Sequence, residues 1–149
     1  MAYLIDTTIL GRLANVNDAQ HFAAARSVVE LHRRGEELNI TPQVMIEFRN
    51  VATRPVAVNG LGLSIAEAET LAATFESRFP MLADTPDIYP AWKALVSALS
   101  VVGKQVHDAR LVAVCHTHAV THVLTFNVGH FSRLAGYGPG IFVVDPASV

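Results

Sequence analysis

Four short apolar runs set between stretches of helical periodicity constrain this chain more than any other feature. Tyr3-Leu4-Ile5, Leu38-Asn39-Ile40-Thr41, Val123-Leu124-Thr125 and Ile141-Phe142-Val143-Val144 are too short for buried helices and read as strands. The spacing between them predicts helices. One covers residues 19–34, with Phe22, Ala25, Val28, Val29 and His32 on a face and Gly35 as its stop. Pro42, with Thr41 as cap, opens a second helix that ends before Arg54-Pro55. Ser64 and Glu67 form a capping-box pattern that starts a third, running to about Phe75. Further helical patterns cover 86–99, 108–118 and 127–134, and Phe79–Leu82 reads either as a short strand or as an extended link. Strand and helix in alternation imply parallel pairing, because parallel neighbours need a crossover long enough to hold a helix. The expected architecture is α/β: a three-layer α/β/α sandwich around a central parallel sheet of four or five short strands.

With 149 residues, of which 51% are hydrophobic and 16% charged, the chain is expected to form a single domain without disulfide or metal staples. A net charge of −2 excludes a basic protein that coats nucleic acid. Of the 11 cations only Lys93 and Lys104 are lysine, and the arginine excess suits bidentate recognition of phosphate or carboxylate. One cysteine, Cys115, permits no internal disulfide; no apolar run is long enough to span a membrane, and the N-terminus lacks a secretion pattern. A soluble cytoplasmic protein is the expectation.

Three acids interrupt this apolar pattern. Asp6 ends the first strand, and the carboxyl ends of strands are where open α/β sheets bind ligands; it is equally placed to cap the helix that follows. Glu47 falls in the buried stripe of Val44, Phe48 and Val51, where a carboxylate costs several kcal/mol unless paired or metal-bound. Its structural alternative is an ion pair with Arg49 or Arg54. Asp108 begins the set Leu111, Val112, Cys115, and taken alone it is an acid favouring a helix N-terminus. Carboxylates about 4 Å apart repel by roughly 4 kcal/mol per pair at an effective dielectric near 20, so three of them at one sheet edge require a cation. Oxygen ligands without thiolates favour Mg²⁺ or Mn²⁺ over zinc, and such a site activates water and stabilises a phosphoryl transition state. His116, His118 and His122 do not offset this: residues 121–125 read as a strand, which breaks any shared helical face.

Leu4-Ile5-Asp6-Thr7-Thr8-Ile9-Leu10 resembles the opening motif of PIN-domain ribonucleases. Pro42-Gln43-Val44-Met45-Ile46-Glu47-Phe48, Val106-His107-Asp108-Ala109-Arg110-Leu111-Val112-Ala113 and Leu124-Thr125-Phe126-Asn127-Val128-Gly129-His130-Phe131 are similar to that family's second, third and fourth motifs, in the same order. In size and style the chain resembles VapC-type toxins of bacterial toxin–antitoxin pairs. The resemblance implies that Asp6, Glu47 and Asp108 are catalytic, metal-binding acids, with Thr7 or Thr8 holding the first acid or a metal-bound water. Asn127 stands where most of the family has Asp; it offers a carbonyl oxygen to a metal but no charge, so one-metal catalysis is the simpler expectation. Its other role is to cap the helix that follows.

Arg12, Arg49 and Arg110 lie close in sequence to the acids and are candidates for holding RNA phosphates, or else ordinary surface residues. The family likeness implies a Mg²⁺- or Mn²⁺-dependent endoribonuclease acting on a structured RNA such as a tRNA or rRNA loop, a homodimer, and a cognate antitoxin partner. Surfaces around Phe22–Leu31 and Val56–Leu63 are candidates for these contacts. The alternative is a non-catalytic PIN-like regulatory binding module with a weakened metal site.

Overall fold

Tyr3, Leu4 and Ile5 are each 5% exposed or less, and the strand they form, β1 (Ala2–Ile5), lies inside a four-stranded sheet. The computed structural model describes residues 1–149. Its other strands are β2 (Glu37–Asn39), β3 (His122–Leu124) and β4 (Phe142–Val144), in the order β2–β1–β3–β4 with every neighbouring pair parallel. Ile5 is level with Leu124 and Leu124 with Val144, so three chains leave the sheet at one edge. Asp6 N–H donates to the Leu124 carbonyl at 3.1 Å and Thr125 N–H to that of Val144 at 3.1 Å, carrying the ladder one residue past the strands.

Seven helices flank the sheet: α1 (Thr7–Ala14), α2 (His21–Arg33), α3 (Pro42–Thr53), α4 (Ile65–Arg78), α5 (Ile88–Ala98), α6 (Gln105–Thr117) and α7 (Val128–Ala135). They form two packed groups, α1 to α4 in one and α5 to α7 in the other. The local signals explain most boundaries. The Thr41 hydroxyl accepts from Val44 N–H at 3.1 Å with Pro42 in the first turn, and Ser64 with Glu67 completes the expected capping box. That helix runs on to Arg78 rather than stopping near Phe75, because Phe75 and Phe79 continue the apolar face into the core.

Other boundaries differ from the sequence reading. β2 ends at Asn39, since Thr41 is taken up as the α3 cap, while Ile40 pairs singly with Met81 and so settles the 79–82 segment as an extended link touching the sheet. α6 starts at Gln105, three residues before Asp108, after Gly103 turns the chain at φ +62°. Two short 3₁₀ turns, Val56–Val58 and Pro146–Ser148, complete the secondary structure. No helix is long and apolar enough to cross a membrane.

A continuous core of 30 buried apolar residues runs on both sides of the sheet. Phe48 is fully buried and meets Phe75 edge-on at a centroid distance of 5.1 Å, joining α3 to α4. Phe48→Ala is expected to cost about 3–5 kcal/mol through lost burial and a residual cavity. Urea denaturation of the two proteins checks it.

Candidate active site

The shared sheet edge places Asp6 at the N-cap position of α1, yet its carboxylate makes no cap hydrogen bond to the helix. It points instead toward the end of β3. Oδ2 accepts from the Thr8 hydroxyl at 2.8 Å and from the Thr125 hydroxyl at 2.7 Å. Those two hydroxyls accept in turn from Phe126 N–H at 3.2 Å and Asn127 N–H at 2.9 Å. A hydroxyl has one proton, so each threonine is committed as donor to Asp6 by the backbone of the turn after β3. Both side-chain donors fall on one oxygen, and Oδ1 has no side-chain donor.

Asp6 is 4% exposed. Burial raises its pKa above the usual carboxylate range; the Thr125 and Thr8 hydroxyls pull it back, and the nearby N–H groups of Thr7 and Thr8, which form no cap bond with it, add a smaller pull. Thr7 serves a different acid: its hydroxyl donates to Glu47 Oε2 at 2.8 Å. The adjacent threonines therefore divide, Thr8 holding the first acid and Thr7 the second.

Glu47 lies half-buried on α3, as the interrupted stripe implied, without the arginine that would have made it a structural ion pair. Arg49 reaches Glu69 at 3.7 Å and Arg54 donates to the Asn59 carbonyl at 2.9 Å. The second oxygen of Glu47 accepts from Gln43 Nε2 at 2.9 Å.

Asp108, on the first turn of α6, is pushed up to about 6 by burial foremost and by the charges of Asp6 and Glu47, with His130 and His107 opposing. Its one ionic neighbour is His130 Nδ1 at 3.7 Å, on the mostly exposed side chain of a residue on α7. Asp6 at the end of β1 and Glu47 on α3 thus both lie within electrostatic reach of Asp108 on α6, and none of the three is paired with Lys or Arg. As the side chains stand, no three of the acids and histidines converge closely enough to hold one metal ion. The donor chemistry nonetheless suits a hard divalent cation: it is all oxygen, and the repulsion that adds to burial in raising Asp108 is what a cation would relieve.

The remaining candidates are placed as follows. Asn127 is exposed at the N-terminus of α7, its side chain caps nothing, and its backbone N–H serves Thr125. Arg12 pairs with Asp18 at 3.6 Å and Gln20 at 3.1 Å, away from the acids. Arg110 lies with Glu47, Gln43, His107 and Asp84 around a polar cavity of about 560 Å³ and donates to Asp84 at 2.9 Å. Of the three arginines it is the one that shares a cavity with a candidate acid. The histidines do not gather: His116 stacks on Tyr137, His118 contacts the Ala83 carbonyl and His122 the Thr121 hydroxyl.

Two members of this site escaped the sequence reading. Thr125 was legible only as a strand residue, and the full burial of its hydroxyl shows only in the structure. Gln43, in the first turn of α3, gave none.

No protein-family model matches the chain, and no curated protein matches it in sequence. Solved structures do match it in fold. VapBC2 of Rickettsia felis, bound to a DNA fragment from its promoter, superposes with a TM-score of 0.71 at 15% identity over 97% of this chain and 98% of that one. VapC20 of Mycobacterium tuberculosis, a toxin that cleaves the sarcin–ricin loop, gives 0.67 at 21% identity over 91% and 96%. A toxin–antitoxin complex from Klebsiella pneumoniae gives 0.60 at 21% identity over 97% of each chain. The architecture is the PIN-domain fold seen in VapC toxins, with four strands in its sheet.

The raised acids make stability depend on pH in a defined direction. Asp108 titrates near 6 when folded and near its ordinary 3.8 when unfolded. Between these values the folded state binds the extra proton, so stability falls as pH rises and the loss is complete above about 6. In metal-free protein, Asp108→Asn removes that charge, and it is expected to gain on wild type by about 2 kcal/mol between pH 4 and pH 7. Urea denaturation across that range measures the gap; a constant difference contradicts the assignment.

Proposed function

We propose that this protein is a Mg²⁺- or Mn²⁺-dependent endoribonuclease, the toxin of a toxin–antitoxin pair, that hydrolyses phosphodiester bonds in a structured RNA. The observation that carries the reading is a set of three carboxylates at the carboxyl edge of a parallel sheet: Asp6 and Glu47 are held by neutral hydroxyl and amide donors, Asp108 is raised by burial and by the charges of the other two, and none is paired with arginine or lysine. A purely structural cluster of acids would be neutralised internally, since unpaired buried charge costs several kcal/mol. Similarity of fold to VapC20 supports the choice of RNA, and similarity to the Klebsiella complex supports an antitoxin partner.

Asp6, Asp108 and Glu47 are the residues that would hold the cation, with the carbonyl of Asn127 as a further oxygen. Bound there, a divalent ion lowers the pKa of water and stabilises the charge of a phosphoryl transition state. The chain's own residues do the remaining work. Thr8 and Thr125 fix Asp6 through Oδ2, and Oδ1 has no side-chain donor. Thr7 and Gln43 fix both oxygens of Glu47. Arg110, at the mouth of the polar cavity beside Glu47, offers a guanidinium to an RNA phosphate in exchange for Asp84; Arg12 and Arg49 would meet only more distant phosphates.

An antitoxin segment would cover the apolar groove of about 800 Å³ formed by Val28, Val29, Leu71, Phe75 and Phe79, on α2 and α4 beside the β2 edge. A homodimer would draw on exposed apolar side chains such as Ile46, Val56 and Ile65.

A second reading, a binding module with a weakened metal site, draws on the uncharged and exposed Asn127. Cation binding separates the two. Saturating Mn²⁺ is expected to raise the melting temperature of wild type by about 5 °C and that of Asp108→Ala hardly at all. An identical shift in both would count against a site at Asp108. For the reaction itself, Asp6→Asn is expected to keep its fold by circular dichroism and to lose RNA cleavage by about a hundredfold or more. Retained Mn²⁺-dependent cleavage in Asp6→Asn refutes the assignment.

A further inference from the structure

The acids on α3 and α6 belong to helices that pack elsewhere: α3 lies against α1 and α4, α6 against α5 and α7. Something must set the separation between Glu47 and Asp108 across the cleft that lies between them. The two hydrogen bonds joining α3 to α6 are both made by one side chain. Gln43 Nε2 donates to the His107 carbonyl at 2.8 Å, and Gln43 Oε1 accepts from Arg110 Nη1 at 3.2 Å. The same Nε2 donates its second proton to Glu47 Oε1, one turn along α3. The residues it grips on α6, His107 and Arg110, stand on either side of Asp108. Arg110 is anchored in turn by Asp84, from the link before α5.

We infer that Gln43 is a positioning residue, a clasp that sets the spacing of Glu47 from Asp108; its consequence for catalysis rests on the nuclease reading above. The chemistry at position 43 is narrow. Both amide protons meet acceptors, a carboxylate and a carbonyl, while the amide oxygen meets a guanidinium, so the group fits in one orientation only. A carboxylate of the same shape would put an oxygen against Glu47 and against the His107 carbonyl. An arginine or lysine would bind Glu47 and cancel the charge the site needs. A neutral amide holds the acid without neutralising it, and its reach crosses the cleft.

The test reads the cleft directly. Nitroxide labels on Thr53→Cys and Lys104→Cys report the separation of α3 and α6 by double electron–electron resonance in metal-free protein. The native Cys115 is buried, with its thiol pushed up to about 12, and does not react. Two variants are compared with wild type, Gln43→Leu and the isosteric Gln43→Glu. Expected are a distance distribution that broadens or shifts by about 2 Å in both, Mn²⁺ affinity at least tenfold weaker by calorimetry, and a fall in kcat with KM within threefold. Wild-type distributions in both variants would overturn the clasp. Absence of Mn²⁺ binding in wild type itself would remove the nuclease reading and leave the distance measurement to decide the clasp alone.

Discussion

Placing a carboxylate at the end of a buried strand, with charge of the same sign nearby, is the constraint to which the rest of this structure answers. Asp6 is almost wholly removed from water, and Asp108 is raised by its own burial and then by the charges of Asp6 and Glu47. Such an arrangement survives only if donors are supplied locally. The fold supplies them as hydroxyls from α1 and the end of β3, and it orients those hydroxyls with backbone N–H groups of the turn after β3. The parallel sheet makes this possible. Because β1 and β3 are neighbours running the same way, residues 6 and 125 emerge side by side although 119 residues separate them.

The choice of donors carries functional meaning. Thr7, Thr8, Thr125 and Gln43 are neutral, so each stabilises a carboxylate without offsetting its charge. The nearby arginines are spent on other acids: Arg12 on Asp18, Arg49 on Glu69, Arg110 on Asp84. The edge of the sheet therefore remains electronegative in a protein whose net charge is only −2. That local field is the feature a divalent cation would complement, and it also keeps bare phosphate away until a cation is present. On the proposed nuclease reading, modest overall charge suits selection of an RNA by shape better than coating of a strand.

Much of this was legible in the sequence, and the reason is periodicity. Asp6, Glu47 and Asp108 stood out because each sits where an apolar side chain would normally continue a buried stripe. The four strands and most helices were legible from the same alternation of periods. Thr125 and Gln43 were not, because threonine is at home in strands and a polar residue is ordinary in a first helical turn. Their roles come from partners 119 and 64 residues away, and local pattern holds no record of such pairings. The start of α6 was hidden for a related reason. Lys104 at its N-cap makes no side-chain cap bond, so no Ser, Thr or Asp marked the boundary.

The division of labour between the two threonines shows how little chain is needed to build the site. Thr7 and Thr8 are adjacent in the first turn of α1, so their side chains diverge by roughly 100° around the helix axis. One therefore faces β3 and Asp6, while the other faces α3 and Glu47. The start of a single helix thus fixes the relation between the first and second acids, and the remaining freedom is the position of α6, which carries the third. Gln43 closes that freedom from α3, through contacts on both sides of Asp108. Three acids on three elements are located by four neutral side chains, and the acid held least directly, Asp108, is the one whose proton affinity is raised by burial and, beyond that, by the charge of the other two.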